Sequence, residues 1–511
     1  MNVADLLLNS SNKYGHRTAI ISEEKRFSFA LFNERVNRLA SALQRLGAVK
    51  GDRVAPMFYN THHFAEVYFA AAKLGAILTP VNFRFLGKEI EYIIGNSKSA
   101  FFFFGKDFEG TIAEIAHSLS SVQHFIGVDA KRGGFAHDYE TLLSSGTREE
   151  PSVAVAEGDP CQIMYTSGTT GKPKGAVITH GNVIWNLINT MVGREDKTGE
   201  ISLIIGPLYH TAALNNHFTI QVALGGTSIL VKRFDPENIL NYIQKEKVNV
   251  ISGSPAMYRL LLQHPHLKNF DTRSIIKCTA GSAILPNELK VRLLKTFSNA
   301  YGVFDVYGCT EASPTITILN GKDSIRKHGS VGLAVPFTQV RIVDEGGRPL
   351  PPNQIGELVC KGPNVMQGYY KNRKSTDETI KDGWLYTGDL ARVDEEGYYY
   401  IVDRKKDMIV SGGENIYPRE IEEVLLEHPA VADAAVLGIP DEIWGEKVKA
   451  FIVLKDRHSL DEEGVIEHCK RHLASYKKPR AVSFVEWIPK NPSGKVLKRI
   501  LRESDEKGGE A

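Results

Sequence analysis

Long apolar runs are missing from this chain. No stretch of eighteen or more apolar residues occurs in its 511 residues, which predicts no membrane-spanning helix. Charge of one sign is missing too: 62 Lys and Arg stand against 60 Asp and Glu, interspersed, for a net charge of +2. That balance lacks the basic stripe of a nucleic-acid binder. Cysteine is scarce. Cys161, Cys278, Cys309, Cys360 and Cys469 are scattered without CxxC or CxH spacing, which excludes a zinc site or a disulfide framework as the organising device. Met1-Asn2-Val3-Ala4-Asp5 has no basic region leading into an apolar core, so no signal peptide is expected and the reducing cytoplasm is the expected compartment. Two nucleotide motifs are absent as well. No GxGxxG opens a helix, and the P-loop pattern fails because Pro173 follows Gly171-Lys172 where a Ser or Thr would hold magnesium.

What the chain does have is Thr166-Ser167-Gly168-Thr169-Thr170-Gly171-Lys172-Pro173-Lys174-Gly175, directly after the apolar Ile163-Met164-Tyr165. The pattern predicts a strand running into a loop that holds polyphosphate. Glycines allow backbone N–H groups to turn toward an anion, hydroxyls donate to phosphate oxygens, and lysines neutralise charge. A plain surface loop of Gly, Ser and Thr rarely carries two lysines in this order.

The length predicts at least two domains. Over the first 150 residues amphipathic helices alternate with short apolar strands. Phe29, Leu31, Phe32, Val36, Leu39, Leu43 and Leu46 recur near helical spacing, Arg53 to Phe58 reads as a strand, and Thr61 is placed to cap a helix ending at Leu74. Strands at 99–104, 124–128, 201–205, 228–231 and 250–252 continue the pattern. The expected class is α/β, with crossover helices on sheets. After residue 320, Gly-, Pro- and charge-rich turns separate short strands such as 340–343 and 357–360, which reads as a β-rich subdomain. Beyond Asp403 a compact α+β unit is expected, with helices at 418–426 and 464–473 and strands at 434–438 and 448–454. The expected domains are therefore 1–402 and 403–511. The polar tail from Glu503 to Ala511 reads as disordered.

The 166–175 loop resembles the phosphate-binding signature of the adenylate-forming superfamily, which includes acyl-CoA synthetases, peptide-synthetase adenylation domains and luciferases. Further motifs follow in the family's order and cover nearly the whole chain, so it resembles the AMP-forming acyl-CoA synthetase branch, within which lie fatty-acid and aryl-CoA ligases. The resemblance implies a large N-terminal domain and a small mobile C-terminal domain hinged at Asp403. It implies ATP, Mg²⁺ and coenzyme A as the bound partners.

Residue by residue, the resemblance assigns ATP contacts to Thr166, Ser167, Gly168, Thr169, Thr170, Lys172 and Lys174. It adds Gly281-Ser282-Ala283 against adenine and the acyl group, Tyr307 and Gly308 at the base, and Thr310 at the α-phosphate. Glu311 is the implied magnesium ligand, in keeping with a hard cation's need for oxygen. Asp389, in Tyr386-Thr387-Gly388-Asp389, is implied to hold the ribose hydroxyls, with Arg404 reaching the same nucleotide; alone, Asp403-Arg404 reads as an exposed ion pair. Lys495, in Pro492-Ser493-Gly494-Lys495-Val496, matches the catalytic lysine, which would bridge carboxylate and α-phosphate and offset their repulsion. His210, in Pro207-Leu208-Tyr209-His210-Thr211, is implied to close the acyl pocket. A general-base role does not suit it, because the carboxylate substrate is already ionised. Leu214, Gly281, Gly308 and Cys309 complete the implied pocket. Ser411-Gly412-Gly413-Glu414 resembles the pantetheine-tunnel loop, and Trp444, Tyr476, Lys478 and Arg480 resemble contacts to the CoA nucleotide. Trp444 reads almost as well as a half-buried packing residue.

The expected reaction joins a carboxylic acid to CoA through an acyl-adenylate, releasing AMP and pyrophosphate. Alternatives are an adenylating enzyme that loads a carrier protein, an oxygenase of the luciferase kind, and a nucleotide-binding protein without catalysis. Thr211-Ala212-Ala213-Leu214-Asn215 holds no acid to pair with a substrate ammonium, which favours an uncharged tail. By resemblance, Ala212-Ala213 leans toward an aliphatic chain and so toward a medium- or long-chain fatty acid, with an aryl or alicyclic acid as the alternative. The expected assembly is a monomer or homodimer without nucleic acid.

Overall fold

The computed structural model describes residues 1–129, 135–166, 172–281, 285–411, 414–490 and 496–506. Compactness divides the chain into two units. One comprises Met1–Val340 with Cys360–Leu385, the other Arg341–Val359 with Tyr386–Ala511.

The first unit holds a nine-stranded and an eight-stranded sheet among the described residues. Phe101–Gly105 illustrates why the central strands are so apolar. Phe101 and Phe103 enter one core while Phe102 and Phe104 enter another, because successive side chains of a strand leave opposite faces and this parallel strand is covered on both. The helix Phe29–Arg45 follows the predicted spacing, burying Phe29, Phe32, Val36, Leu39 and Leu43, with the Ser28 hydroxyl accepting from the Leu31 amide at its start. Thr61 does stand at the N-cap of His62–Leu74. Its hydroxyl makes no capping bond; the Thr61 carbonyl accepts from Phe64 N instead.

In the nine-stranded sheet the strands Thr227–Leu230, Ile201–Ile204, Val250–Gly253, Lys277–Gly281 and Val303–Gly308 lie side by side and parallel. Their carboxyl ends therefore line one edge of the sheet. Registers Ser252↔Thr279, Gly253↔Ala280 and Gly281↔Val306 define two faces. Leu203, Ile251, Cys278, Ala280 and Val303 pack into one core, which leaves Ser252, Lys277, Thr279 and Gly281 on the opposite face.

The strand Trp384–Val393 pairs antiparallel with Tyr399–Arg404, and within the second unit this places Asp389 opposite Arg404 and Leu390 opposite Asp403. A five-stranded sheet contains Glu414–Ile416, Ile409–Ser411, Gly445–Leu454, Val431–Asp441 and Ala481–Phe484. Helices Pro418–Glu427 and Glu462–His472 cover it, burying Ile421, Leu425, Val465 and Cys469 against Val436, Val448 and Ile452.

One expectation fails here. A helix, Lys498–Glu506, runs through the first part of the tail that composition reads as disordered. Leu501 is 1 % exposed among Ala435, Leu437, Phe451 and Ile488, and Asp505 pairs with Lys449. Leu501, just before the segment read as disordered, anchors this helix, so the polar composition from Glu503 onward does not reveal it.

Candidate active site

The strand Pro160–Thr166 and the strand Lys174–Thr179 pair antiparallel, with Thr166 opposite Lys174 and Tyr165 opposite Gly175. The glycine-rich segment thus connects two antiparallel strands. A Cβ on Gly175 would meet Ile163 Cγ2 at 2.6 Å, so this position admits only the bare backbone. Lys172 Nζ lies 5.8 Å from the Tyr92 ring centroid and Lys174 Nζ 5.4 Å from that of Tyr369. The Tyr92 hydroxyl donates to the Pro173 carbonyl at 3.0 Å. Ser167, Gly168, Thr169 and Thr170 lie outside the described residues, as do Ser282, Ala283, Gly412, Gly413 and Lys495.

At the carboxyl edge of the nine-stranded sheet, several sequence candidates come together. In open α/β sheets ligands bind at the carboxyl ends of the strands. Ile201–Ile204 leads through Gly206 to His210, Lys277–Gly281 ends at Gly281, and Val303–Gly308 carries Tyr307 and Gly308 at its end. Gly308 is held against backbone: an added Cβ would meet the Pro314 oxygen at 1.7 Å. The Cys309 amide donates to that same carbonyl at 3.0 Å, and the turn continues into the short helix Thr310–Ala312.

Glu311 is fixed by a segment that the sequence reading did not single out. The Tyr369 hydroxyl donates to Glu311 Oε1 at 2.7 Å, and the Met366 amide donates to the Glu311 carbonyl at 2.8 Å. Burial, and then the adjoining carboxylate, push the Tyr369 hydroxyl well above its usual range, so it stays a donor. Glu311 Oε2 has no hydrogen bond among the described residues, which leaves a hard oxygen ligand suited to Mg²⁺. A different donor group, His62, His63 and Glu140, brings its ligand atoms within 4.8 Å of one another. Arg35 already donates to both Glu140 oxygens, at 3.1 and 2.7 Å, and nitrogen-rich ligation does not suit magnesium.

His210 precedes the helical turn Ala212–Thr219, with its Nε2 sealed from solvent and unpaired among the described residues. Burial, and secondarily the charge of Arg84, lower its pKa to about 4. It is therefore neutral at pH 7. Leu214, an implied pocket residue, is 0 % exposed and packed in the main core with Phe218.

In the second unit the two nucleotide candidates pair with each other. Arg404 Nε lies 2.6 Å from Asp389 Oδ1, and Asp389 is 4 % exposed. The Arg404 guanidinium also donates to the Thr387 carbonyl at 3.3 Å. Glu357 supports the turn by accepting from the Gly388 amide at 3.1 Å and pairing with Lys405 at 3.0 Å. Asp403 does not form an exposed pair with its neighbour's side chain. It is buried, accepts from the Arg404 amide at 2.6 Å and the Arg419 amide at 2.9 Å, and burial raises its pKa.

Of the CoA candidates, Ser411 pairs with Glu414 across a short hairpin and lies opposite Gly445 of the next strand. Trp444 is 41 % exposed, and the Arg480 guanidinium stands 4.7 Å from its ring centroid. That joins one aromatic face to one cation. Lys478 Nζ donates to the Ser475 carbonyl at 3.2 Å, and Lys477 Nζ stands 5.7 Å from the Tyr476 ring centroid.

The family model described as AMP-binding enzyme matches residues 7–370, and the one described as AMP-binding enzyme C-terminal domain matches 420–495. A feruloyl-CoA synthase of Amycolatopsis sp is 37% identical over 487 residues, covering 95% of this chain and 96% of that one. A long-chain-fatty-acid–CoA ligase of Mycobacterium tuberculosis is 36% identical over 486 residues, covering 94% of both. Among solved structures, o-succinylbenzoate coenzyme A synthetase from Bacillus subtilis, in complex with ATP and magnesium ion, superposes with a TM-score of 0.86 at 31% identity, covering 97% of this chain and 99% of that one.

Proposed function

We propose, for a chain that belongs to the AMP-binding enzyme family and is an AMP-forming acyl-CoA ligase, that its substrate is a carboxylic acid with an uncharged tail. The observation that carries this reading is the carboxyl edge of the nine-stranded sheet. Neutral His210, Gly281, Gly308 and the Thr310–Glu311 turn stand there together, and no acid lies within 211–215.

In the first step the acid's carboxylate oxygen attacks the α-phosphorus of ATP, forming acyl-AMP and releasing pyrophosphate. Thr166, Lys172 and Lys174 hold phosphates, Thr310 meets the α-phosphate, and Lys495 bridges it to the incoming carboxylate. Glu311 is the oxygen ligand for Mg²⁺, which neutralises phosphate charge when bound. Tyr307 offers its ring to adenine, and Asp389 with Arg404 holds the ribose. A rotation at Asp403 then exchanges Lys495 for the 411–414 loop. In the second step the CoA thiolate attacks the acyl carbonyl and AMP leaves, with Trp444, Tyr476, Lys478 and Arg480 receiving the CoA nucleotide.

A medium- or long-chain fatty acid is the first reading of the tail, supported by the small side chains of Ala212 and Ala213 and by the long-chain ligase relative. An aryl acid is the second, supported by a feruloyl-CoA synthase at the same level of identity. CoA-dependent AMP release across fatty acids, benzoates, cinnamates and cyclohexane carboxylates tests both, with hydroxylamine trapping of the adenylate alongside. Turnover confined to acids with a charged tail would overturn the reading.

A further inference from the structure

Resting on that ligase reading, we propose that Ser252 is a specificity-determining hydrogen-bond donor, recognising a neutral oxygen, a hydroxyl or an ether, on the tail of the acid.

The argument starts from Arg194. Its guanidinium can only donate, and one of its N–H groups lies 3.3 Å from His217 Nδ1. Nδ1 must therefore accept, which places the imidazole proton of a neutral ring on Nε2. Burial, and then Arg194 itself, lower the His217 pKa to about 3, so the ring is neutral at pH 7. His217 Nε2 lies 3.1 Å from Ser252 Oγ and donates to it. The Ser252 hydroxyl has thus been given a donor, and its own proton has no acceptor among the described residues. Three residues fix the direction of one hydroxyl.

Its position makes that proton useful. Ser252 is half-buried near the carboxyl end of Val250–Gly253, between the strand that leads to His210 and the strand that ends at Gly281. It shares a sheet face with Gly281, and His217 reaches it from the turn Ala212–Thr219 that follows His210. Thr279, its register partner, is 1 % exposed, so of these two paired hydroxyls the one open to a ligand belongs to Ser252.

The charges nearby decide what kind of group fits. Arg194 is spent on Asp196 at 2.6 Å, and Lys277 on Asp196 at 2.6 Å and Glu200 at 3.4 Å. With those cations paired, a tail carboxylate would lack a counterion, and a tail ammonium would face a donor. A neutral oxygen takes the bond.

The test compares kcat/KM for CoA-dependent AMP release within two matched pairs: cinnamate against 4-hydroxycinnamate, and dodecanoate against 12-hydroxydodecanoate. The enzyme is expected to favour the oxygenated member of one pair by about tenfold. That pair identifies whether the oxygen sits on a ring or on a chain. Ser252→Ala is expected to bring the preference within about twofold while the plain acid keeps its kcat/KM. Ser252→Thr, which keeps a hydroxyl, is expected to retain the preference. Equal rates within both pairs would overturn the proposal, as would Ser252→Ala lowering both members equally. Absence of AMP release with every acid would instead overturn the ligase reading on which it rests.

Discussion

The hydroxyl of Tyr369 donates to Glu311 Oε1 at 2.7 Å across 58 residues of sequence. Tyr369 belongs to the short strand Gly368–Tyr369, which pairs with Lys174–Thr179 at Tyr369↔Ala176. The strand that follows the candidate phosphate segment therefore positions the tyrosine that fixes the magnesium candidate. Lys174 lies against the same ring.

Replacing Tyr369 by Phe removes that bond and keeps the ring under Lys174. A hydrogen bond to a charged acceptor contributes about 1.5–3 kcal/mol. The expected result is an adenylation rate lowered by about tenfold or more, with more Mg²⁺ needed for the half-maximal rate. Magnesium titrations of hydroxamate formation check it. An unchanged magnesium requirement would detach Tyr369 from the metal.

At Gly308 the backbone leaves no room. A Cβ 1.7 Å from the Pro314 oxygen forces the Thr310–Glu311 turn to move, so Gly308→Ala is expected to cost about 1–3 kcal/mol of stability. Displacement of this turn by an ångström lowers the rate on the order of a hundredfold. Paired unfolding and AMP-release measurements separate the two losses. Retention of full activity would remove this turn from the chemistry.

Trp444 and Arg480 form an exposed cation–π pair, a contact of about 0.5–1 kcal/mol by itself. Trp444→Ala is expected to raise the KM for CoA about three- to tenfold, given the added loss of a stacking face. Hydroxamate formation without CoA should not change. A fall in hydroxamate formation would make Trp444 a packing residue of the C-terminal unit.

Buried imidazoles set the acid limit of stability. His210 and His180 have folded pKa values near 4, and His217 near 3, each lowered chiefly by burial. An unfolded chain protonates histidine near 6.5, so below about pH 7 it binds more protons than the folded chain, and stability falls as pH falls. Each such group contributes at most about 1.4 kcal/mol per pH unit through this window. Its contribution to the loss levels off once pH drops below the folded value. Urea midpoints between pH 8 and pH 4 are expected to be flat above about 7 and to decline below it. His217→Gln is expected to flatten the decline, and an unaltered slope would contradict the burial argument.

Local pattern made much of the scaffold legible. The apolar spacing from Phe29 to Leu43 and the apolar runs at 101–104, 124–128 and 201–204 follow from the two periodicities of helix and strand. The strand that leads into the hydroxyl- and glycine-rich segment was legible, and it ends at Thr166. The helical stretch from Glu503 to Glu506 was not legible, because the leucine that anchors the helix, Leu501, precedes the polar tail.

The amino-acid sequence determined the succession of elements, the motifs and their chemical types, because these depend on neighbours a few residues apart. Only the tertiary structure decided which groups meet. Glu311 is held by Tyr369, Asp389 by Arg404, and Ser252 by His217, which Arg194 holds in turn. Hydrogen-bond partners are selected by distances of about 3 Å between side chains that the chain brings together through sheet register and helix packing. No local periodicity carries that information, and the proton that Ser252 presents exists only after the folding has aligned all three residues.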